Sequence, residues 1–247
     1  MQSDKCLFTT PNLTTDYKPQ GYTEKFAGLD CYVAHRDSPK IGIISIYDAF
    51  EATNPSHLGV DLLASHLDAV VIEPDILEGD VAQPSWYPIN DATKVEAEAW
   101  RQKLFSKPWD VHTDRIKEVV KEAQAKYGIT RWGITGFCLG GKISVTISGS
   151  GTPFKASVAV HPGKLEIKDA KALTIPHRLM ASKDEPAEVI EEYEAYFKEH
   201  PELQGESETY QQPHGWACAR AKLDDPEGKK EFERAHNETA RFFQKHV

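Results

Sequence analysis

Cysteine is scarce in this chain of 247 residues: there are four, Cys6, Cys31, Cys138 and Cys218, widely spaced and never in a Cys-x-x-Cys pair. That argues against a disulfide framework or a zinc knot and predicts reduced thiols. No His-x-x-x-His motif or acidic cluster has metal-ligand spacing, so no metal is expected. Basic residues are outnumbered, 29 Lys and Arg against 38 Asp and Glu, for a net charge of −9. Neither nucleic acid nor an anionic membrane is then expected as the main partner. No N-terminal stretch pairs a basic region with an apolar run, and no segment approaches the roughly 18 consecutive apolar residues of a membrane helix. A cytoplasmic location follows as the expectation. Internal repeats and low-complexity linkers are also lacking, which leaves no composition shift to mark a second domain.

What is there suits one large α/β domain: 40% of the residues are hydrophobic, enough for a full core at this length. Residues 1–28, interrupted by Pro11, Pro19 and Gly21, read as an irregular arm, and residues 29–247 as a single domain. Strands are predicted at 29–34, 41–46, 68–73, 131–135, 156–160, 175–180 and 206–211. Helices are predicted at 57–66, 93–105, 112–126, 142–147, 185–200 and 226–246. Strands alternating with helices imply a mostly parallel central sheet with helices on both faces. Between 74 and 92 runs a long loop rich in Pro, Gly and Asp, able to form one wall of a site.

The most informative block is Gly136-Phe137-Cys138-Leu139-Gly140, reached from Trp132-Gly133-Ile134-Thr135. It reads as strand, sharp turn and helix, with a cysteine where a nucleophile elbow usually carries serine. A side chain at the tip of such a turn stands above the sheet, and glycines two residues on either side let strand and helix approach. The helix N-terminus adds unpaired N–H groups and a positive dipole end, which favour a thiolate or an oxyanion at Cys138. A cysteine between glycines can also be a small buried hydrophobe. The strand context and the flanking glycines favour the nucleophile.

A cysteine nucleophile needs a base, and the base an orienting carboxylate. Asp184 follows the strand that ends near Met180-Ala181 and precedes Pro186, which places it at the carboxyl edge of the sheet; it is equally a helix N-cap candidate. His214 lies in the loop Gln211-Gln212-Pro213-His214-Gly215-Trp216. The order Cys138, Asp184, His214 is that of α/β-hydrolases. Of the other histidines only His161, which follows a strand, is kept as a pocket candidate.

Gly-Phe-Cys138-Leu-Gly-Gly, Ser-Lys-Asp184-Glu-Pro and Pro-His214-Gly-Trp resemble the three triad blocks of the dienelactone hydrolase (carboxymethylenebutenolidase) family, in wording closest to fungal members. The resemblance extends to Ile46-Tyr47-Asp48-Ala49-Phe50 and Glu73-Pro74-Asp75, and covers residues 28 to 247. It implies an α/β-hydrolase fold and cofactor-free opening of an enol-lactone to a dicarboxylate. It also implies that Asp48 engages the thiol proton in the resting site and moves when substrate binds. The oxyanion donors are expected to be the backbone N–H of Leu139 and that of Ala49 or a neighbour.

Bacterial relatives hold the substrate carboxylate with arginines. Arg220, six residues after His214, can serve here, and Arg101 is a poorer counterpart. Tyr47, Phe50, Trp86, Tyr87 and Trp216 are candidate pocket walls, each of which can also be core or cover. The expected partner is a small lactone or ester, and oligomeric state is not legible. Two alternatives stay open: a broad carboxylesterase or thioesterase on secondary-metabolite esters, and a catalytically silent α/β-hydrolase used for binding.

Overall fold

A computed structural model of the protein describes residues 10–11, 16–35 and 37–247. Eight strands form one sheet: β1 (Tyr22–Phe26), β2 (Leu29–His35), β3 (Ile41–Ile46), β4 (Ala69–Pro74), β5 (Trp132–Phe137), β6 (Ala156–Val160), β7 (His177–Ser182) and β8 (Glu206–Tyr210). Their order is β1-β2-β4-β3-β5-β6-β7-β8. From β4 onward along this order every pairing is parallel, whereas β1–β2 and β2–β4 are antiparallel.

The central strands are apolar on both faces because helices cover both. Side-chain alternation sorts them cleanly. Ile44 and Ile46 of β3, Val70 and Ile72 of β4, and Trp132 and Ile134 of β5 point to one layer, with Ile116, Val119 and Val120 of α3 (Trp109–Tyr127) and Leu139 and Ile143 of α4 (Leu139–Thr146). Ile41 and Ile43, Ala69 and Val71, and Phe137 point to the other, against Val60 and Leu63 of α1 (Asn54–Leu67) and Phe242 and Phe243 of the C-terminal helix Pro226–His246. Toward the β8 edge, Leu179 and Ala181 of β7 pack under α5 (Ile167–Ala172) and α6 (Ala187–Glu199). The remaining helix, α2 (Lys94–Ser106), follows the long loop, and the C-terminal helix is α7.

Several expectations need correction. Part of the segment read as an irregular arm is β1, whose Tyr22–Phe26 pairs with Val33–Leu29 through a turn at Ala27-Gly28 where both residues have positive φ. A five-residue strand with one buried side chain, Phe26, carries too little apolar alternation to be recognised without its partner. Helix α4 starts directly after the cysteine, because the elbow leaves no linker between strand and helix. Helix α5 was not anticipated; with six residues it is too short to show a helical period. Cys6 lies outside the described residues.

Candidate active site

The strand-turn-helix expected around Cys138 is formed by β5 and α4. Cys138 has φ 51° and ψ −108°, a conformation that costs an ordinary residue roughly 1–3 kcal/mol and persists only where the surroundings impose it. Here the backbone is tied on both sides. The Cys138 N–H donates to the Val160 carbonyl at 3.1 Å, and its own carbonyl accepts from Lys142 at 3.1 Å and Gly163 at 2.8 Å. The glycines are demanded by contact. A Cβ on Gly136 would lie 2.0 Å from the Gly140 carbonyl oxygen, and one on Gly140 would lie 2.1 Å from the Ile46 oxygen. No side chain fits in either gap. Lys142, almost wholly buried, clamps α4 to α5 by pairing with Asp169 at 2.5 Å and Glu166 at 2.9 Å, which supplies the counter-charge a buried ammonium needs.

Cys138 is partly exposed, whereas Cys31 and Cys218 are buried. Burial pushes the Cys31 thiol up to about 12 and the Cys218 thiol well above its ordinary value. Thiolate chemistry at those two sites is suppressed. Cys138 therefore stands apart by exposure as well as by turn geometry.

His214 sits in the loop after β8 and is buried, with its Nδ1 2.7 Å from Oε1 of Glu185. Glu185 is buried too. It also accepts 2.8 Å from the Ser182 hydroxyl, and its Oε2 accepts from the Ser182 backbone N–H. The expected orienting acid, Asp184, instead places Oδ2 3.0 Å from the backbone N–H of His214. Glu185 thus meets the ring nitrogen, and Asp184 meets the loop backbone. The reason is local. Beyond Ser182 the turn sends neighbouring side chains different ways, and Glu185, one turn residue before Pro186, folds back onto the free end of β7. A carboxylate only accepts, so Glu185 directs the Nδ1 proton toward itself and leaves Nε2 as the basic nitrogen. The adjacent Asp-Glu pair was the available signal, and nothing in the one-dimensional pattern ranks the two.

Asp48 follows β3 and is fully buried. Its Oδ1 accepts from Phe50 N–H at 2.9 Å and its Oδ2 from Ala219 N–H at 3.2 Å, so one carboxylate joins the turn after β3 to the far end of the His214 loop. Burial pushes its titration up, against the opposing pull of the Phe50 N–H, Arg220 and the Ala219 N–H. Ala49, between these bonded residues, is half-buried, and its carbonyl accepts from Ala82 at 2.8 Å. Leu139 is the first residue of α4, where backbone N–H groups lack intrahelical acceptors.

The six pocket candidates divide. Arg220 lies over the rings of Phe50 at 4.9 Å and Tyr87 at 5.2 Å, and those rings meet edge to face at 5.2 Å. These three form one cluster beside Asp48. Trp86 packs against Trp100 at 6.1 Å and its Nε1 donates to Glu96 at 3.2 Å, part of the cover contributed by the long loop and α2. Tyr47 does not reach the cluster. It is buried in the core in the same layer as Ile44 and Ile46, its hydroxyl donating to Asp75 at 2.8 Å and accepting from Leu77 N–H at 2.9 Å. Trp216 is also mostly buried, stacked on Tyr210 at 5.0 Å beneath the His214 loop. With Gln212, Pro213, Arg220 and Lys222 it borders a cleft beside the start of α7. Arg101 lies on α2. Among the described residues no group of three or more His, Cys, Asp or Glu side chains is arranged to hold a metal ion, and no helix is long and apolar enough to cross a membrane.

A strained residue between a parallel strand and a helix, followed in chain order by an acid after a later strand and a histidine in the last loop, defines an α/β-hydrolase. Residues 29–247 match the dienelactone hydrolase family, and the chain belongs to that family of hydrolases. An uncharacterized AIM2 family protein of Schizosaccharomyces pombe is 32% identical over 227 residues, spanning 90% of this chain and 89% of that one. A crystal structure assigned as a dienelactone hydrolase of Klebsiella pneumoniae superposes with a TM-score of 0.68 at 19% identity, over 87% of this chain and 92% of its own. A dienelactone hydrolase-like promiscuous phosphotriesterase, P91, from metagenomic libraries gives 0.66 at 16% identity, over 92% and 98%. At these identities the two structures share the fold.

Proposed function

We propose that the protein is a cofactor-independent cysteine hydrolase that opens an enol-lactone, or a related activated ester, through Cys138 and His214. The observation that carries this reading is the thiol on a strained turn at a helix N-terminus, in a fold whose loop histidine has its Nδ1 bound to a buried carboxylate. Cys138 gives its proton to Nε2 of His214 and attacks the lactone carbonyl, forming a C–S bond and a tetrahedral oxyanion. Backbone N–H groups of Leu139 and Ala49 are the proposed donors to that oxygen. Collapse breaks the ring C–O bond and releases an enolate, a stabilised leaving group that takes up a proton. Water, deprotonated by His214, then attacks the thioester, the C–S bond breaks, and a carboxylate and free thiol result. Asp48, bonded to both Phe50 and Ala219, is the proposed acid beside the resting thiol.

Arg220, braced by Phe50 and Tyr87, is the proposed anchor for a substrate carboxylate. A second reading, a broader carboxylesterase or thioesterase, draws on the apolar character of the Phe50, Tyr87, Trp86 and Trp100 cover. A thiol nucleophile suits a reducing compartment, consistent with a cytoplasmic location. The experiment is a turnover profile on a carboxylated dienelactone, its methyl ester and chromogenic esters, with Cys138→Ala as control. Preference for the free carboxylate, abolished in Cys138→Ala, is expected. Equal turnover of charged and neutral esters favours the broader enzyme, and turnover that survives Cys138→Ala defeats the cysteine mechanism.

A further inference from the structure

Immediately after β6, His161 takes a left-handed backbone, with φ +36°. Its N–H donates to the Met180 carbonyl at 2.8 Å, and two residues on, Gly163 donates to the Cys138 carbonyl at 2.8 Å. The segment is thus fixed to β7 on one side and to the nucleophile residue on the other. The imidazole is 0% exposed. Three rings enclose it: His214 at 4.8 Å and 60°, Trp216 at 5.1 Å and 62°, and Phe137 at 5.9 Å and 47°. Neither ring nitrogen has a hydrogen-bond partner outside its own residue among the described residues.

A box of aromatic rings with no polar partner is a place for phenylalanine. Histidine there leaves buried nitrogens unpaired, at a cost in stability. The charged and titratable groups acting on it include His214 and Arg220 of the loop and His236 of α7, and His214 itself is faced by Glu185 at Nδ1 and by the buried Asp48 carboxyl, on which Arg220 also acts. Burial first, and then His214, Arg220 and His236, hold His161 well below its ordinary titration, so it stays neutral and leaves the base role to His214. A neutral imidazole has two tautomers, and no bond to another residue fixes which one is present. The ring is therefore free to carry its proton on the nitrogen away from His214 and turn a lone pair and dipole toward a neighbouring positive charge.

Resting on the cysteine-hydrolase reading above, the geometry points to His161 as a positioning residue that stabilises the His214 imidazolium formed when the thiol loses its proton. It touches no reacting atom and acts through His214. Phenylalanine reproduces its shape without its dipole, and glutamine supplies a neutral dipole without the ring.

The test pairs two readouts on full-length wild type, His161→Phe and His161→Gln. NMR titration of the His214 imidazole in the resting protein needs no substrate, and the pH profile of kcat/KM on a chromogenic ester follows the same group in turnover. For His161→Phe the His214 pKa is expected to fall by about half a unit or more, roughly threefold in proton affinity. The acid limb of kcat/KM should move with it, kcat should drop about tenfold, and KM should change less than twofold. His161→Gln should recover part of both effects. A His161→Phe protein whose His214 titration and kcat match wild type overturns the proposal and reduces His161 to a wall. A shifted titration in a protein with no Cys138-dependent turnover upholds the coupling and removes the hydrolase reading instead.

Discussion

Replacing Glu185 by glutamine separates the two acids that hold His214. In the native site the Glu185 carboxylate accepts from the Ser182 N–H, the Ser182 hydroxyl and Nδ1 of His214. A glutamine amide has one acceptor oxygen where the carboxylate has two. If that oxygen serves Ser182 N–H, the amide NH2 faces Nδ1, which must then accept. The imidazole proton is forced onto Nε2, where it blocks deprotonation of the thiol. If the oxygen serves Nδ1, two buried N–H donors confront each other at Ser182. Enforcing the wrong tautomer in a serine-protease triad costs about 10⁴ in kcat; since a thiol loses its proton more readily than a hydroxyl, the loss expected here is about 10²–10⁴, equivalent to about 3–5 kcal/mol. Asp184→Asn retains an oxygen for the His214 backbone N–H, now 3.0 Å away, and should cost less than about 1.5 kcal/mol, roughly tenfold. Steady-state kinetics on an activated ester, with circular dichroism to verify folding, reads both. A severe loss in Asp184→Asn beside a mild one in Glu185→Gln would refute the assignment of Glu185.

Gly140→Ala puts a Cβ 2.1 Å from the Ile46 backbone oxygen; backbone cannot yield as a side-chain tip can, so the variant should lose well over 2 kcal/mol, visible as a lowered urea midpoint. Glu73 is buried with Oε2 unpaired among the described residues, and burial raises its titration to about 8 from 4.5. The folded chain therefore keeps a proton that the unfolded chain releases across that window. Stability from this group is complete below pH 4.5 and is lost as pH climbs to 8, with a slope of at most about 1.4 kcal/mol per unit. Glu73→Gln should flatten that decline in urea midpoints and exceed wild type at pH 8.5; an unchanged slope would contradict it. Arg220→Gln should raise KM for a carboxylated lactone about tenfold or more while sparing neutral esters, and equal effects on both would remove Arg220 as an anchor.

The elbow was legible in the sequence because its requirements are local: two glycines and a cysteine at fixed spacing between a strand and a helix. The central strands were legible for a similar reason, since β3 and β4 are short apolar runs bounded by breaks. What escaped depends on side-chain direction. Asp184 and Glu185 are neighbours with the same chemistry, and only the turn after Ser182 decides which faces the imidazole. Tyr47 sits one residue from Asp48, yet its hydroxyl is held in the core by Asp75 and the Leu77 N–H, contacts that only the folded chain supplies. The edge strand β1 has too few apolar residues to identify itself before β2 is in place. His161 was legible only as a histidine after a strand; its contact with His214 arises from β6 and the His214 loop meeting across more than fifty residues of chain.

Trapping the acyl enzyme tests the central claim most directly. Rapid acid quench during turnover of an activated ester, followed by peptide mass spectrometry, should find the acyl group in thioester linkage on the peptide carrying Cys138, absent from Cys138→Ala and accumulating at a rate that matches the pre-steady-state burst. Undiminished turnover in Cys138→Ala, or an acyl group found on a serine or threonine instead, would contradict the account.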